Sequence, residues 1–91
     1  MRGSAALDIV DRVPFGIIER RIAKALSVRF GCWVQTRALI NAAYWDRPDG
    51  GPSDAKGSVK QHIHHIRLKL APHGLTIVGR AFVGRRMESA E

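Results

Sequence analysis

Acidic residues are missing from more than a third of this 91-residue chain. No Asp or Glu occurs between Ala55 and Met87, whereas seven Lys and Arg residues lie in that segment. The first 54 residues are nearly balanced, with eight basic and six acidic side chains. The net charge of +7 is therefore concentrated in the C-terminal part of the chain. A segment with charge of one sign predicts an acidic partner, and nucleic acid is the most usual one.

Cysteine and long apolar runs are scarce as well. The single cysteine, Cys32, excludes an intrachain disulfide and a Cys-based zinc site. His62 and His65 could share a helix face, but two ligands do not complete a zinc site, so we expect no metal and no other cofactor. No run approaches the roughly 20 apolar residues that span a bilayer, and residues 1–13 lack the apolar core of a signal peptide. We therefore expect a cytoplasmic protein without a membrane partner.

Catalytic motifs are also lacking. The sequence has no paired-carboxylate spacing, no nucleophile elbow and no Gly-rich phosphate loop, so we do not expect an enzyme. Cys32 lies in a short apolar segment, where we expect it to be buried rather than reactive. Four large aromatic residues are expected in the core: Trp33, Tyr44, Trp45 and Phe82.

The length predicts one domain. Residues 1–13 could form a short strand or a short helix, and the pattern does not decide between them. Residues 14–87 are predicted to form the folded domain, and residues 88–91 a disordered tail. Helical apolar spacing predicts helices over 14–30 and 37–45, the second capped by Thr36. Two prolines and two adjacent glycines make the segment DRPDGGP at 46–52 an irregular loop.

A third helix is predicted over residues 54–71, capped by Ser53 or Asp54 and ended by Pro72. Its apolar residues recur at spacings of 4, 3 and 4, which is the period of one buried stripe: Val59, Ile63, Ile66 and Leu70. The opposite face is polar and rich in histidine and basic residues. We expect this helix to pack on the core with one face and to contact a polyanion with the other.

The C-terminal part reads as a β-hairpin over residues 75–86. Residues 75–78 form one predicted strand, Gly79-Arg80 the turn, and residues 81–83 the return strand. The predicted fold class is thus mainly α with a small β component. Two helices, a third basic helix and a hairpin are the layout of a winged helix-turn-helix, which has a three-helix core and a C-terminal hairpin called the wing. In that fold the third helix lies in the major groove of DNA.

Three segments resemble the winged-helix DNA-binding domain of OmpR/PhoB-type response regulators. Residues 58–70, SVKQHIHHIRLKL, are similar to the family's recognition helix. Residues 76–82, TIVGRAF, resemble its wing, usually Thr-Val-Arg-Gly-x-Gly-Tyr, and residues 34–45 resemble the segment through its second helix. The chain departs from the family by lacking length for an N-terminal four-stranded sheet and by carrying Val78 where the wing usually has arginine. Because 91 residues leave no room for one, we expect no receiver domain in this chain.

The resemblance implies a stand-alone bacterial or phage transcriptional regulator that binds specific sequences of double-stranded DNA. Helix 54–71 would enter the major groove, and wing 75–86 would reach the adjacent backbone or minor groove. Amide and imidazole groups can read base edges, so the base-contact candidates are Gln61, His64 and His65, while Ser58 suits a base or a phosphate. Phosphate contacts are expected from Thr36, Arg37, Lys56, Lys60, Arg67 and Lys69, and wing contacts from Arg80 and Arg85.

Other partners stay open at this point. Winged helices also bind proteins, so a protein-interaction module with weak or non-specific DNA binding is the alternative. Leu68, an apolar residue on the outer face of the third helix, would suit a thymine methyl group or a protein. The resemblance further implies that loop 46–52 could face RNA polymerase and that two copies could bind DNA as a homodimer. RNA binding is a weaker third hypothesis.

Overall fold

The computed structural model describes residues 3–90, and the side chains of residues 5–90. The elements in chain order are α1 (Gly3–Arg12), α2 (Ile17–Val28), α3 (Thr36–Tyr44), α4 (Ala55–Leu70), a 3₁₀ turn (Ala71–His73), β1 (Leu75–Arg80) and β2 (Gly84–Ser89). The described chain is mainly helical and ends in a two-stranded antiparallel hairpin. The predicted fold class is therefore confirmed in outline, with one more helix than predicted. No helix within residues 3–90 combines the length and the apolar character needed to cross a bilayer.

The additional element is α1, which decides between the two possibilities for the N-terminal segment in favour of a helix. It buries Ala6 and Val10 in the core, with Val13 just beyond its end. The guanidinium of Arg20 in α2 donates hydrogen bonds to the carbonyls of Val10 and Val13, each at 2.7 Å. These carbonyls lie at the C-terminal end of α1, where helical partners are missing. Arg20 thus caps α1 and fixes it against α2.

One apolar core joins all four helices to the hairpin. Its largest fully buried aliphatic side chains and methionine are Ile22, Leu26, Leu39, Ile63, Ile66, Leu70, Leu75, Ile77, Met87, Val10 and Val59. The whole predicted stripe of α4 is among the buried residues, which confirms the apolar spacing of that helix. The N-cap of α4 is Asp54, whose carboxylate accepts a hydrogen bond from the Gly57 N–H at 3.1 Å. A side chain at Gly57 would overlap that carboxylate, so the glycine in the first turn leaves room for the cap.

The hairpin is longer than predicted, and its turn lies further along the chain. Both strands have six residues, and Ile77 pairs with Met87 in the antiparallel register. The predicted turn at Gly79-Arg80 is wrong, because both residues belong to β1 and residues 81–83 form the turn. The predicted register would have put Phe82 opposite Ile77. The observed register puts Met87 there instead and buries it completely.

Three of the four aromatic side chains that were expected in the core are not buried there, and the change of register accounts for Phe82. Phe82 lies at the hairpin turn and is fully exposed, and Trp45 at the end of α3 is 73% exposed. Trp33 is half-buried under the guanidinium of Arg86, and only Tyr44 is buried as predicted. The burial expected of Cys32 is also wrong, since this residue is exposed beside the turn that follows α2.

Residues 88 and 89, which were expected in a disordered tail, belong to β2 instead. Strand β2 continues to Ser89, because Glu88 and Ser89 pair with Thr76 and Leu75 of β1. The Glu88 carboxylate also forms an ion pair with the Arg86 guanidinium, with 2.7 Å between oxygen and nitrogen. Strand pairing thus orders two residues that have no apolar pattern of their own. Residue 91 lies outside the described part of the chain.

The segment before α3 is attached to the outer edge of β2. Val34 forms an isolated antiparallel bridge with Arg85, in which the Val34 N–H donates to the Arg85 carbonyl at 2.7 Å and the Val34 carbonyl accepts from the Arg85 N–H at 2.9 Å. The Gly31 N–H donates to the Met87 carbonyl at 3.0 Å. At Gly84, with φ of 131°, a Cβ atom would overlap the carbonyl oxygen of Val34. Glycine is therefore required where the base of the hairpin turn meets the start of α3.

We predict that Gly84→Ala destabilises the protein by about 2 kcal/mol or more, because it adds an overlap to an unfavourable φ. The matched control is Gly74→Ala. Gly74 also has positive φ, 74°, but has open space around it, so this variant should cost only about 1 kcal/mol. Urea unfolding of the two variants measures the difference. Equal losses would contradict a steric role for the approach to Val34.

Candidate nucleic-acid interface

Helix α4 presents its polar side to solvent along its whole length. The exposed residues on it are Lys56, Lys60, Gln61, His64, His65, Arg67 and Leu68. At 100° per residue, Lys56, Lys60 and Arg67 fall within about 40° of one another, at the edge that faces the hairpin. Ser58, His65 and Lys69 fall at the other edge, which faces the start of α2. The two edges have different surroundings.

The edge toward the hairpin borders an open cleft of about 740 Å³ between α4, the start of α3 and the hairpin turn. Residues of three separate segments line it: Gln35, Thr36, Arg37, Lys56, Arg67, Gly79, Arg80, Ala81, Phe82, Val83, Gly84 and Arg85. We call this cleft the basic cleft. Six of the twelve predicted contact residues meet there, although they come from positions up to 49 residues apart.

The charge of the basic cleft is of one sign. Five of the residues that line it are Lys or Arg, and none is Asp or Glu. None of these five cations forms an ion pair with a residue in the described range 3–90. Arg85 lies across β1 above Gly79, where a Cβ atom would come within 2.9 Å of the guanidinium. Positive charge that no neighbouring acid neutralises makes the cleft an attractive site for a polyanion.

The start of α3 adds backbone donors to the basic cleft. The first N–H groups of a helix have no partner within it, and the helix dipole makes this end partially positive. The N-cap of α3 is Gln35, not Thr36 as predicted, and its side chain makes no capping hydrogen bond. Thr36 and Arg37 are the first helical residues and line the cleft. A phosphate oxygen at this position would find a hydroxyl, a guanidinium and backbone N–H groups together.

The candidates for base contacts lie further round α4. Gln61 and His64 are exposed on its outer side, and the His64 ring lies 5.9 Å from the ring of His65. Ser58, Gln61 and His65 line a shallow depression with residues 52–54, on the side away from the hairpin. Leu68 is exposed between these groups, as predicted. The base-contact candidates and the basic cleft thus occupy adjoining parts of one surface.

Lys69 differs from the other predicted phosphate contacts, because an intramolecular network holds its side chain. Its ammonium donates to the Glu19 carboxylate at 2.7 Å and to the Pro14 carbonyl at 3.3 Å. It also lies 5.6 Å from the centre of the Phe15 ring. His65 Nδ1 is 3.8 Å from the same carboxylate. Lys69 therefore ties α4 to the start of α2, and we leave it out of the candidate interface.

Glu19 is the centre of that network, and its side chain is only 13% exposed. Burial alone would raise the pKa of Glu19. The hydrogen bonds from Lys69 and from the Gly16 N–H outweigh burial, so the pKa lies below its ordinary value. No three His, Cys, Asp or Glu side chains within the described residues are grouped so as to hold a metal ion.

Two parts of the candidate interface were not found from the sequence. Gln35 and Phe82 line the basic cleft, but the first was not among the expected contacts and the second was expected in the core. The position of Phe82 depends on the hairpin register, and the residues next to Phe82 in the sequence do not indicate which register forms.

No protein-family model and no curated protein matches this chain.

We predict that Glu19→Gln lowers the free energy of unfolding by about 0.5–1 kcal/mol near pH 7, a modest value because Lys69 is partly exposed. A carboxylate with a lowered folded pKa stabilises the fold above its ordinary value of 4.5, and that contribution is lost as the pH falls through the folded pKa. The difference between wild type and variant should therefore shrink as the pH falls below 4.5 and vanish below the folded pKa.

Urea unfolding at several pH values measures this difference. Asp8→Asn, at an exposed position on α1, is the control and should give a small difference at all pH values. A constant difference for Glu19→Gln down to pH 3 would contradict the ionic role of Glu19.

Proposed function

We propose that this protein is a winged-helix transcriptional regulator that binds double-stranded DNA, with α4 in the major groove and the hairpin as the wing. The observation that carries the proposal is the basic cleft. Three segments bring five cations together there, the lining contains no acid, and none of the five forms an ion pair with a described residue. The proposal includes a relationship to OmpR/PhoB-type domains, which rests on the sequence motifs alone.

The proposed arrangement assigns different contacts to the two ends of the surface. The width of the major groove admits one helix, and the outer side of α4 carries exposed amide and imidazole groups at Gln61 and His64. The basic cleft would receive the phosphate backbone between α4 and the wing, with Thr36 and Arg37 at the start of α3. Phosphate contacts set the position of the protein, and base contacts give it sequence preference.

The number of available cations predicts the salt dependence of binding. If about five phosphates are contacted, the logarithm of affinity should fall with the logarithm of salt concentration with a slope of about −4 to −5. Replacing Lys56 and Arg67 by Gln should lower the magnitude of the slope by about 2, since each contact contributes about 1. Fluorescence anisotropy with a labelled duplex at several salt concentrations measures both slopes.

The matched control replaces two cations outside the basic cleft, Lys24 and Arg29, by Gln. Both are exposed at the groove between α2 and α3 and should leave the slope unchanged. A wild-type slope near zero would contradict DNA binding altogether. Equal loss of slope in the two double variants would indicate that the charge acts without a defined site.

Sequence preference should depend on the outer side of α4. We predict that Gln61→Ala changes which sequences are selected from a random duplex pool, because a glutamine can bond the N6 and N7 atoms of adenine together. Its loss should reduce discrimination at one base position by about 10-fold or more, with the salt slope unchanged. Arg80→Ala is the comparison and should weaken binding to all sequences by a similar factor. Unaltered selection by Gln61→Ala would remove Gln61 from base recognition.

A second candidate function is binding of a protein, and a separate surface favours it. Between α2 and α3 lies a groove lined by apolar residues, flanked by the exposed side chains of Trp45 and Val28. Lys24 and Arg29 border this groove, so its chemistry suits an amphipathic helix with acidic residues beside its apolar face. Loop 46–52 adjoins it through the ion pair of Asp46 with Arg21. Absence of salt-dependent DNA binding would favour this alternative.

A further inference from the structure

The turn of the hairpin presents an aromatic side chain to solvent. Phe82 is the most exposed large apolar residue in the described chain, and its side chain makes no core contact. It lines the basic cleft together with Arg80 and Arg85. Single apolar residues scattered over a surface need no explanation. An apolar residue among cations at the tip of a projecting hairpin does need an explanation.

The backbone at Phe82 is also unusual. The Val83 N–H donates to the Arg80 carbonyl at 3.1 Å, which closes a four-residue turn. Phe82 occupies the third position of this turn with φ of 64°, and it is the only residue other than glycine with positive φ in residues 3–90. Turns with positive φ at that position favour glycine or asparagine. Phenylalanine is thus unfavourable there both for the backbone and for solvation.

Local strain together with exposure points to a role outside the folded chain. The position cannot serve the core, because no described residue covers the ring. The neighbours of the ring suit a nucleic acid, since the basic cleft extends from the turn to α4 and all its charged side chains are cations. An aromatic ring among cations can stack on a base or enter between two base pairs.

We propose that Phe82 enters the minor groove of duplex DNA as an apolar wedge between two base pairs, with Arg80 and Arg85 on the flanking phosphates. This inference rests on the proposed function, because it names what the wing does there. Insertion unstacks one base step, so the protein should favour steps that unstack easily. Thymine–adenine steps are flexible in this way, whereas runs of adenine are stiff and have a narrow minor groove.

Two duplexes of equal length and base composition test this preference. One alternates adenine and thymine and contains many thymine–adenine steps, and the other pairs a run of adenine with a run of thymine and contains none. We expect wild type to bind the alternating duplex about 10-fold more tightly. Phe82→Ala should lose about 10-fold in affinity for the alternating duplex only, and the salt slope should not change because no charge is removed.

Two further variants separate the wedge from a structural role. Phe82→Gly relieves the positive φ, so it should melt at the same temperature as wild type or higher while losing the preference. Phe82→Leu keeps an apolar side chain and should retain most of the preference for the alternating duplex. Fluorescence of 2-aminopurine placed beside the thymine–adenine steps should rise with wild type and not with Phe82→Gly.

The outcomes distinguish the inference from the function on which it depends. If wild type binds both duplexes equally, with a steep salt slope, and Phe82→Ala does the same, the wedge is wrong and DNA binding stands. If Phe82→Gly melts well below wild type, Phe82 has a structural role and the wedge is again wrong. If wild type binds neither duplex, the proposed function itself fails.

Discussion

The bridge between Val34 and Arg85 is the constraint on which the candidate interface depends. Its two hydrogen bonds join a residue just before α3 to the start of β2, and Gly84 permits the close approach of the two backbones. This contact fixes the hairpin turn beside the start of α3, and the burial of Met87 fixes the same strand against the core. The basic cleft exists because both attachments act on one strand. A hairpin held by its core contact alone could swing away from α3.

Most helical elements could be predicted because their signals are local. The stripe of α4 repeats within 12 residues, and Pro72 and Asp54 mark its ends, so neighbouring positions suffice. Loop 46–52 was equally clear from its prolines and glycines. The excess of positive charge in the C-terminal segment also predicted a basic surface, and Lys56, Arg67 and Arg80 line one cleft. Their meeting depends on how the helices and the hairpin pack together, which no local pattern specifies.

The errors lie where distant residues decide the structure. Two antiparallel registers were compatible with the hairpin sequence, and one residue pair, Ile77 with Met87, separates them. The register depends on which side chain fits into the core and on the pairing of β2 with Val34. The hairpin sequence contains neither piece of information. Phe82 was assigned to the core for the same reason, since its apolar character agrees with the rejected register. The burial of Glu19 likewise has no signal in the sequence of α2, because its partner Lys69 is 50 residues away.

The acidic residues outside the basic segment decide which of its charges can act on a partner. Of the seven cations between Ala55 and Met87, two are paired with acids: Lys69 with Glu19 and Arg86 with Glu88. Glu19 lies at the edge of α4 toward α2, so the same contact that holds the helix also removes positive charge from that edge. The remaining cations of α4 lie at the edge toward the hairpin. A polyanion would therefore be attracted to the side where Phe82 projects. The position of the partly buried Glu19 carboxylate thus determines which edge of α4 keeps its positive charge.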